Sequence, residues 1–274
     1  GLHVSPDLDT VMYTLSGLAN PETGWGVAGD TFQTLERLRA YGADAWFNLG
    51  DRDFATHIRR TEMLGQGYTL SQVTEALARS LGIQHPIVPM SNDDIRTRVA
   101  TDEGELRFQE YFVKRHCEPE VKALRFDGAE RAKPSPGFIE ALEGADFLII
   151  CPSNPFLSIA PILAVPGVRN RIEKFPGLRA AVSPIVGGQA LRGPAAKMLS
   201  ELGHDVSCAG VAKQYAGICD VFVIDNADRE LSDAIAAMGM RVEVTDTLMT
   251  SDADKERLAG HIFGLRESLA STLS

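Results

Sequence analysis

The sequence of 274 residues lacks the marks of secreted, membrane and nucleic-acid-binding proteins. Its four cysteines are scattered, which argues against a disulfide framework or a zinc site and favours the reducing cytoplasm. Its longest apolar runs, such as DFLIICP, have the length of a strand and are too short to span a bilayer. The net charge of −10 and the lack of a basic tract argue against a general nucleic-acid surface, because phosphate neutralisation needs clustered Lys and Arg. We therefore expect a cytoplasmic protein without membrane or nucleic-acid partners.

Helical periodicity dominates residues 5 to 82. The first predicted helix has Ser5 as N-cap and Pro6 at its first position. Asp30 is the predicted N-cap of a second helix, and a third runs from Asp51 to Gly65. A capping box, Thr69 with Gln72, predicts the start of a fourth helix.

Strand patterns follow over residues 83 to 133: HPIVPM, a hairpin RTRVATDEGELRFQEYFV turning at Asp-Glu-Gly, and VKALRF. From residue 134 to 274, apolar strands alternate with amphipathic helices; the strands are DFLIICP, LRAAVSPIV, CDVFVIDN and MRVEVTD. This alternation predicts an α/β fold with a doubly wound, mostly parallel, Rossmann-like sheet. We expect one domain over residues 1 to 274, with a helical and β-hairpin insertion.

Two turns after predicted strands have the character of ligand-binding turns. One carries Ser153 and Asn154, and the other carries Gly187 and Gly188 before a helix with Lys197 in its first turn. Glycine lets a backbone approach phosphate, and helix N-termini supply N–H donors. Neither turn has the P-loop or dinucleotide fingerprint, so ordinary strand–helix turns are an equal alternative.

Acidic residues are paired at two helix starts. Asp7 and Asp9 lie in the first turn of one helix, and Asp51 and Asp53 repeat the spacing in another. The helix dipole alone favours acids there, so capping explains each pair taken singly. Together with Asn48, the four carboxylates could instead hold Mg²⁺, which takes carboxylate oxygens and leaves places for phosphate oxygens.

A histidine and three arginines follow the second acidic pair. His57 lies one helical turn beyond Asp53, so the two could share a face; a general base and an ordinary buried histidine are both open. Arg52, Arg59 and Arg60 could bind an anion or form a solvated face.

Several blocks together resemble one known family. These are SPDLDTVMYTL, the stretch DTFQTLERLRAYGADAWFNLGDRDFATHIRRTEML, CPSNPFLSIAPIL, SPIVGG before GPAAKML, and DTLMTS. In this order they are similar to the 2-phospho-L-lactate transferase family, which acts in coenzyme F420 biosynthesis. The resemblance implies transfer of a phosphorylated three-carbon acid (2-phospholactate, phosphoenolpyruvate or 3-phosphoglycerate) from a guanosine diphospho-conjugate to 7,8-didemethyl-8-hydroxy-5-deazariboflavin. It also implies release of GMP, a requirement for Mg²⁺ and a homodimer.

The resemblance extends to single residues. Asp9 matches an acid that touches the deazaflavin and could orient or deprotonate the attacking hydroxyl, and Asn48 matches a deazaflavin contact where some relatives carry Lys. The predicted catalytic residues are Asp9, Asp51 and Asp53. The predicted substrate-binding residues are Asp9, Asn48, Ser153, Asn154, Gly187 and Gly188, the last four on the guanosine side. The predicted Mg²⁺ ligands are Asp7, Asp9 and Asp51.

The start of the sequence departs from the family pattern. Relatives open with a strand and a glycine-rich loop that cradles nucleotide phosphates, whereas this sequence opens at Gly1 just before a helix. We expect the natural protein to have that missing strand–loop–helix unit. An alternative function is a non-catalytic nucleotide-sugar-binding regulator of the same fold, in which Asp9, Asn48 and the GDRD turn should be dispensable.

Overall fold

The computed structural model describes residues 1–191 and 193–270, with side chains described up to residue 267. Residues 192 and 271–274 of the predicted α/β part lie outside the described residues. The helices are α1 (Pro6–Leu15), α2 (Gln33–Ala40), α3 (Asp51–Gly65), α4 (Leu70–Ser80), α5 (Pro136–Gly144), α6 (Ala160–Ala164), α7 (Val168–Glu173), α8 (Ala195–Glu201), α9 (Cys208–Gln214), α10 (Ser232–Ala236) and α11 (Asp252–Ala270). The strands are β1 (Arg96–Thr101), β2 (Gly104–Arg107), β3 (Val121–Asp127), β4 (Phe147–Ile150), β5 (Leu178–Val182), β6 (Ile185–Val186), β7 (Gln189–Ala190), β8 (Val221–Asp225) and β9 (Arg241–Thr245).

The chain folds into two compact units. The first unit comprises Gly1–Asp94, Phe112–His116 and Ala132–Ile139, and the second comprises Ile95–Tyr111, Cys117–Arg131 and Glu140–Ser274. None of the helices in the described part of the chain is long and apolar enough to cross a bilayer.

The first unit is built on helices α1 to α4. Helix α1 begins at Pro6 as predicted, and α3 ends at Gly65 as predicted. The capping box is confirmed, because Thr69 accepts from the backbone of Gln72 while the Gln72 side chain accepts from the backbone of Thr69. Buried side chains from α1 to α4 form the core of this unit: Met12, Tyr13, Leu35, Met63 and Val73.

Two aspartates in this unit cap each other's helices. Asp30, predicted as the cap of α2, accepts instead from the backbone N–H groups of Arg52 and Asp53 at the start of α3, at 2.9 and 3.2 Å. Asp51 accepts from the backbone N–H groups of Gln33 and Thr34 at the start of α2, at 3.0 and 2.8 Å. The prediction for Asp30 was wrong because a carboxylate satisfies any helix start that it reaches in space, and not only the next one along the chain.

Because Asp30 caps α3, the residue before Asp51 has to be a glycine. Gly50 is the N-cap of α3, and a Cβ placed on it would lie 2.1 Å from Asp30 Oδ2 and 2.8 Å from Asp30 Cβ. A side chain at this position would therefore displace the carboxylate that caps α3.

We expect Gly50→Ala to destabilise the first unit by about 1–3 kcal/mol, from overpacking and the loss of a cap. Gly65→Ala is the matched control at the other end of α3, where an added Cβ meets nothing within 4 Å. That control should be neutral or stabilise slightly, because alanine is the better helix former. Urea unfolding of both variants checks the prediction, and equal midpoints would contradict it.

The second unit contains two larger sheets. Strands β2, β1 and β3 form an antiparallel sheet in that order, and the β1–β2 hairpin turns after Thr101, which pairs with Gly104. Strands β4, β5, β8 and β9 form a parallel sheet in that order. The predicted α/β class, the hairpin and the parallel strands are thereby confirmed.

Helix α11 covers part of the parallel sheet. Its residues Leu258, Ile262 and Leu265 recur at helical spacing and pack in one buried cluster with β-strand residues such as Val182 and Val223. Strands β4 and β8 are apolar on consecutive positions, as expected for a parallel sheet in an α/β protein.

Two sequence predictions of strand were wrong. HPIVPM forms none of the strands given above. Its two prolines, Pro86 and Pro89, lack the backbone N–H that hydrogen bonding between strands requires. The end of the predicted hairpin, Glu110–Lys114, forms a π-helix turn. The predicted helix after β4 also starts as a π-helix, Pro155–Ile159, before α6.

Candidate active site

A small hollow in the first unit brings together polar and apolar side chains from α1, α3, the segment before α1 and the loops between the two helices. Its apolar lining comprises Val4, Pro6, Trp25, Phe47 and Leu49. Its polar lining comprises Asp9, Thr10, Tyr13, Asn48, Asp53 and His57. The hollow therefore contains three of the predicted site residues: Asp9, Asn48 and Asp53.

Asp9 is tied to a buried arginine from α3. Arg60 is 0% exposed, and its Nη1 donates to Asp9 Oδ2 at 3.1 Å while its Nη2 donates to Asp9 Oδ1. Such a bidentate pair is the strong geometry for a guanidinium and a carboxylate. Of the three arginines considered from sequence, Arg60 thus binds an anion within the protein, whereas Arg59 pairs with Glu62 at the surface.

Arg60 also contacts His57, one turn earlier on α3. Its Nη1 lies 3.1 Å from His57 Nδ1. The other ring nitrogen, Nε2, lies 3.2 Å from Asp53 Oδ1. The expectation that His57 and Asp53 share a helix face is confirmed, and Asp9, Arg60, His57 and Asp53 form one continuous polar row beside the hollow.

Asp53 keeps one oxygen available. Its Oδ1 accepts from the Tyr13 hydroxyl at 2.8 Å, and that hydroxyl also lies 2.8 Å from Thr56 Oγ1. Within the described residues no group donates to Asp53 Oδ2. The Asp53 side chain is 14% exposed, so this oxygen can accept a hydrogen bond from a ligand in the hollow.

The surroundings shift the pKa values of the titratable groups in this row in different directions. Burial acts to raise the pKa of Asp53, but the close contact with His57, the hydrogen bond from Tyr13 and the charge of Arg60 outweigh it, so the pKa is lowered. Burial raises the pKa of Asp9 against the opposing hydrogen bond and charge of Arg60. Burial, followed by the charge of Asp53, raises the pKa of Tyr13, so its hydroxyl keeps its proton and remains a donor.

Aromatic side chains stand beside the polar row. Trp25 is 56% exposed and lines the hollow together with Phe47. Phe47 is held edge-on by Trp46 with ring centroids 5.7 Å apart, and Lys114 Nζ lies 5.6 Å from the Trp46 ring centroid. An exposed ring at Trp25 and a half-buried, supported ring at Phe47 suit a flat, partly apolar ligand.

The predicted magnesium ligands do not meet at this hollow. Asp7 and Asp51 are not among its lining residues. The oxygens of Asp51 accept from Thr31, Gln33 and Thr34, and those of Asp9 accept from Arg60. In the described part of the chain, no group of three or more His, Cys, Asp or Glu side chains could hold a metal ion. These carboxylates therefore do not fit the predicted Mg²⁺ site.

The hydrogen bonds of Asp51 make its contribution to the stability of the fold depend on pH. Hydrogen bonds from Thr31 and Thr34 lower its pKa from 3.8 to about 2 in the folded protein. Because the folded pKa is depressed, the stabilisation is fully present above the ordinary value of 3.8. It is then lost as the pH falls from 3.8 towards about 2.

We therefore expect Asp51→Asn to lower the thermal unfolding midpoint at neutral pH and to lose that effect in acid. Circular dichroism of both proteins between about pH 6 and pH 3 measures the difference, which should shrink below about pH 4. A midpoint difference independent of pH would show that the charge of Asp51 does not stabilise α2.

The predicted guanosine-side residues lie in the second unit, and two of them, Asn154 and Gly187, have hydrogen-bond partners there. Asn154 Oδ1 accepts from the backbone of Phe156 and Leu157 and caps the π-helix after β4. Gly187 and Gly188 have φ of 56° and 74° and form the two-residue turn between β6 and β7. The N–H of Gly187 donates to both oxygens of the Asp228 carboxylate at 3.1 Å.

Other polar groups lie where strands of the parallel sheet end. Ser153 follows β4, Ser183 follows β5, Asp225 ends β8, and Thr247 follows β9. Asp225 and Thr247 are joined by hydrogen bonds of 2.8 Å from the Thr247 N–H and 3.2 Å from its hydroxyl. Lys197 donates to the Pro119 carbonyl at 2.8 Å, so its ammonium has a protein partner.

Several residues of the hollow were not predicted from the sequence. Tyr13, Trp25 and Phe47 were not singled out, and Arg60 was grouped with two surface arginines. The spacing of Tyr13 four residues after Asp9 was an available signal, because it places both on one face of α1. The loop aromatics carry no such periodic signal.

Known proteins are similar to this chain in sequence or in fold. The family described as 2-phospho-L-lactate transferase CofD matches residues 1–261. A phosphoenolpyruvate transferase of Streptomyces griseus subsp. griseus is 47% identical over 256 residues, covering 91% of this chain and 80% of that relative. A 2-phospho-L-lactate transferase of Methanothermobacter thermautotrophicus is 42% identical over 264 residues, covering 96% and 84%. A crystal structure of a Bacillus halodurans protein aligns with a TM-score of 0.57 at 13% identity, over 96% of this chain and 97% of that chain, which supports the fold alone.

Proposed function

This chain belongs to the 2-phospho-L-lactate transferase CofD family, a family of transferases, and from that premise we propose its reaction in coenzyme F420 biosynthesis. The chain transfers a phosphorylated three-carbon acid from a guanosine diphospho-conjugate to 7,8-didemethyl-8-hydroxy-5-deazariboflavin and releases GMP. The observation that carries the proposal is the hollow of the first unit, where aromatic rings stand beside a carboxylate oxygen without a protein donor.

The hollow suits the acceptor substrate. A deazaflavin has a flat ring system with polar edges, and Trp25 and Phe47 offer faces against which such a ring can pack. Asn48 also lines the hollow, and its Oδ1 accepts from Arg39 at 3.1 Å, which orients the amide. Its amide N–H groups then point away from Arg39 and can donate to the ring edge.

Asp53 is the proposed proton acceptor. The terminal hydroxyl of the ribityl chain donates to Asp53 Oδ2, and its oxygen attacks the distal phosphorus of the conjugate. The bond from that phosphorus to the bridging oxygen breaks, GMP leaves with the electron pair, and the hydroxyl proton passes to Asp53 and then to water. Positioning and electrostatics supply most of the catalysis in transfers of this kind.

Asp9 has a different role in this proposal from the one expected from sequence. Both of its oxygens already accept from Arg60, so it is poorly suited to take a proton from substrate. It lines the hollow and holds Arg60, which in turn contacts His57. We propose that Asp9 shapes the acceptor site and that Asp53 receives the proton.

The guanosine conjugate is proposed to bind to the second unit. Parallel sheets bind ligands outside the carboxyl ends of their strands, where Ser153, Ser183 and Thr247 stand. Because the Gly187 N–H is already bonded to Asp228, phosphate contacts there would come from Gly188 and its neighbours.

Incubation of the protein with the deazaflavin, the guanosine conjugates of the three acids and Mg²⁺ tests the proposal. Chromatography should show GMP, and mass spectrometry should show the coupled deazaflavin product and identify the acid. The alternative, a regulator, predicts binding of a conjugate without GMP and without deazaflavin binding. That result would refute the proposed transfer.

A further inference from the structure

We propose that His57 is a positioning residue locked by Arg60 in the tautomer that carries its proton on Nε2, from which it donates towards Asp53. The inference rests on the proposed function, because it concerns how Asp53 is held for the acceptor hydroxyl. The sequence left open whether His57 is a general base or an ordinary buried histidine, and this proposal rules out the general base.

The tautomer follows from the chemistry of Arg60. A guanidinium has only donors, so the 3.1 Å contact between Arg60 Nη1 and His57 Nδ1 requires Nδ1 to accept. A neutral imidazole that accepts at Nδ1 carries its single proton on Nε2. Arg60 is itself held by Asp9, so the group that sets the tautomer is fixed in place.

The same geometry excludes His57 as the general base. The Nδ1 lone pair is occupied by Arg60, and Nε2 already carries a proton, so neither nitrogen can take one from a substrate hydroxyl. An imidazolium would instead set the Nδ1–H against the N–H of Arg60. Asp9 Oδ2 is 3.7 Å from Nδ1, which is too far to accept that proton instead.

The Nε2 proton of His57 faces Asp53 Oδ1. His57 is 1% exposed, and its Nε2 has no hydrogen bond of good geometry within the described residues. It lies 3.2 Å from Asp53 Oδ1, the oxygen to which Tyr13 also donates. The hydrogen bond from Tyr13 and the attraction of the nearby Nε2–H both act on Oδ1, which favours one carboxylate rotamer and leaves Oδ2 for the acceptor hydroxyl.

Two substitutions distinguish donation from proton transfer. Gln at position 57 can place an amide N–H where Nε2 stands but cannot take up a proton, whereas Leu has neither group. We expect His57→Leu to lower kcat by about ten- to a hundredfold, the range for a lost hydrogen bond to a charged group. His57→Gln should recover most of that loss, with the KM for the guanosine conjugate unchanged in both. Equal losses in the two variants would overturn the proposal.

A spectroscopic measurement tests the tautomer without turnover. In wild-type protein with ¹⁵N-labelled histidine, the His57 signals near neutral pH should show a protonated Nε2 and an unprotonated Nδ1. Protonation at Nδ1, or at both nitrogens, would overturn the proposal even if every variant were active. A wild-type protein without transfer activity would refute the proposed function, while the tautomer would still be decided by these signals.

Discussion

Replacing Arg60 by Met should destabilise the first unit by about 3–5 kcal/mol, the usual cost of breaking a buried ion pair from one side. Arg60 is 0% exposed and Asp9 is 4% exposed, so the methionine would leave a buried carboxylate without its cation. The same change removes the donor to His57 Nδ1. Urea unfolding followed by circular dichroism, together with hydrogen exchange in α1 and α3, measures the loss.

Arg59→Met is the matched control, because Arg59 is the preceding residue and its side chain is 53% exposed in a surface pair with Glu62. Exposed pairs contribute about 0–1 kcal/mol, so this variant should unfold close to wild type. If the two substitutions were equally costly, the Asp9–Arg60 pair would not be the element that stabilises the first unit.

Asp53→Asn should lower the rate of transfer by about 10²–10⁴, the usual contribution of a positioned general base. Asparagine retains an oxygen that accepts from Tyr13, so the fold and the binding of the deazaflavin should persist. It cannot take the hydroxyl proton at neutral pH, so the effect should fall on kcat rather than on KM. GMP formation under saturating substrates measures it.

Asp51→Asn is the matched comparison for this experiment. Asp51 and Asp53 have the same side chain two residues apart, but Asp51 caps α2 and does not line the hollow. At a temperature where the variant is folded, it should retain most of the wild-type rate. A loss of rate at Asp51 as large as that at Asp53 would restore the sequence prediction that both residues are catalytic.

Local periodicity predicted much of the architecture. The bounds of α3, the capping box of α4, the β1–β2 hairpin and the strands of the parallel sheet each follow from a pattern within about twenty residues. The contact between Asp53 and His57 follows in the same way, because residues four apart share a helix face.

Features that depend on contacts between distant parts of the chain were not predicted. Asp9 and Arg60 are 51 residues apart, and nothing in the local sequence distinguishes Arg60 from Arg59. The exchange of caps between Asp30 and Asp51 likewise spans two helices, so each acid was assigned to the helix that follows it. The homodimer and the requirement for Mg²⁺ stay predictions of the family resemblance.

A crystal structure of the protein with the bound deazaflavin tests the central claim most directly. We predict that the ring lies in the hollow against Trp25 and Phe47, and that the terminal ribityl hydroxyl is within hydrogen-bonding distance of Asp53 Oδ2. A ring bound outside this hollow, or a hydroxyl that faces Asp51 instead of Asp53, would contradict the account.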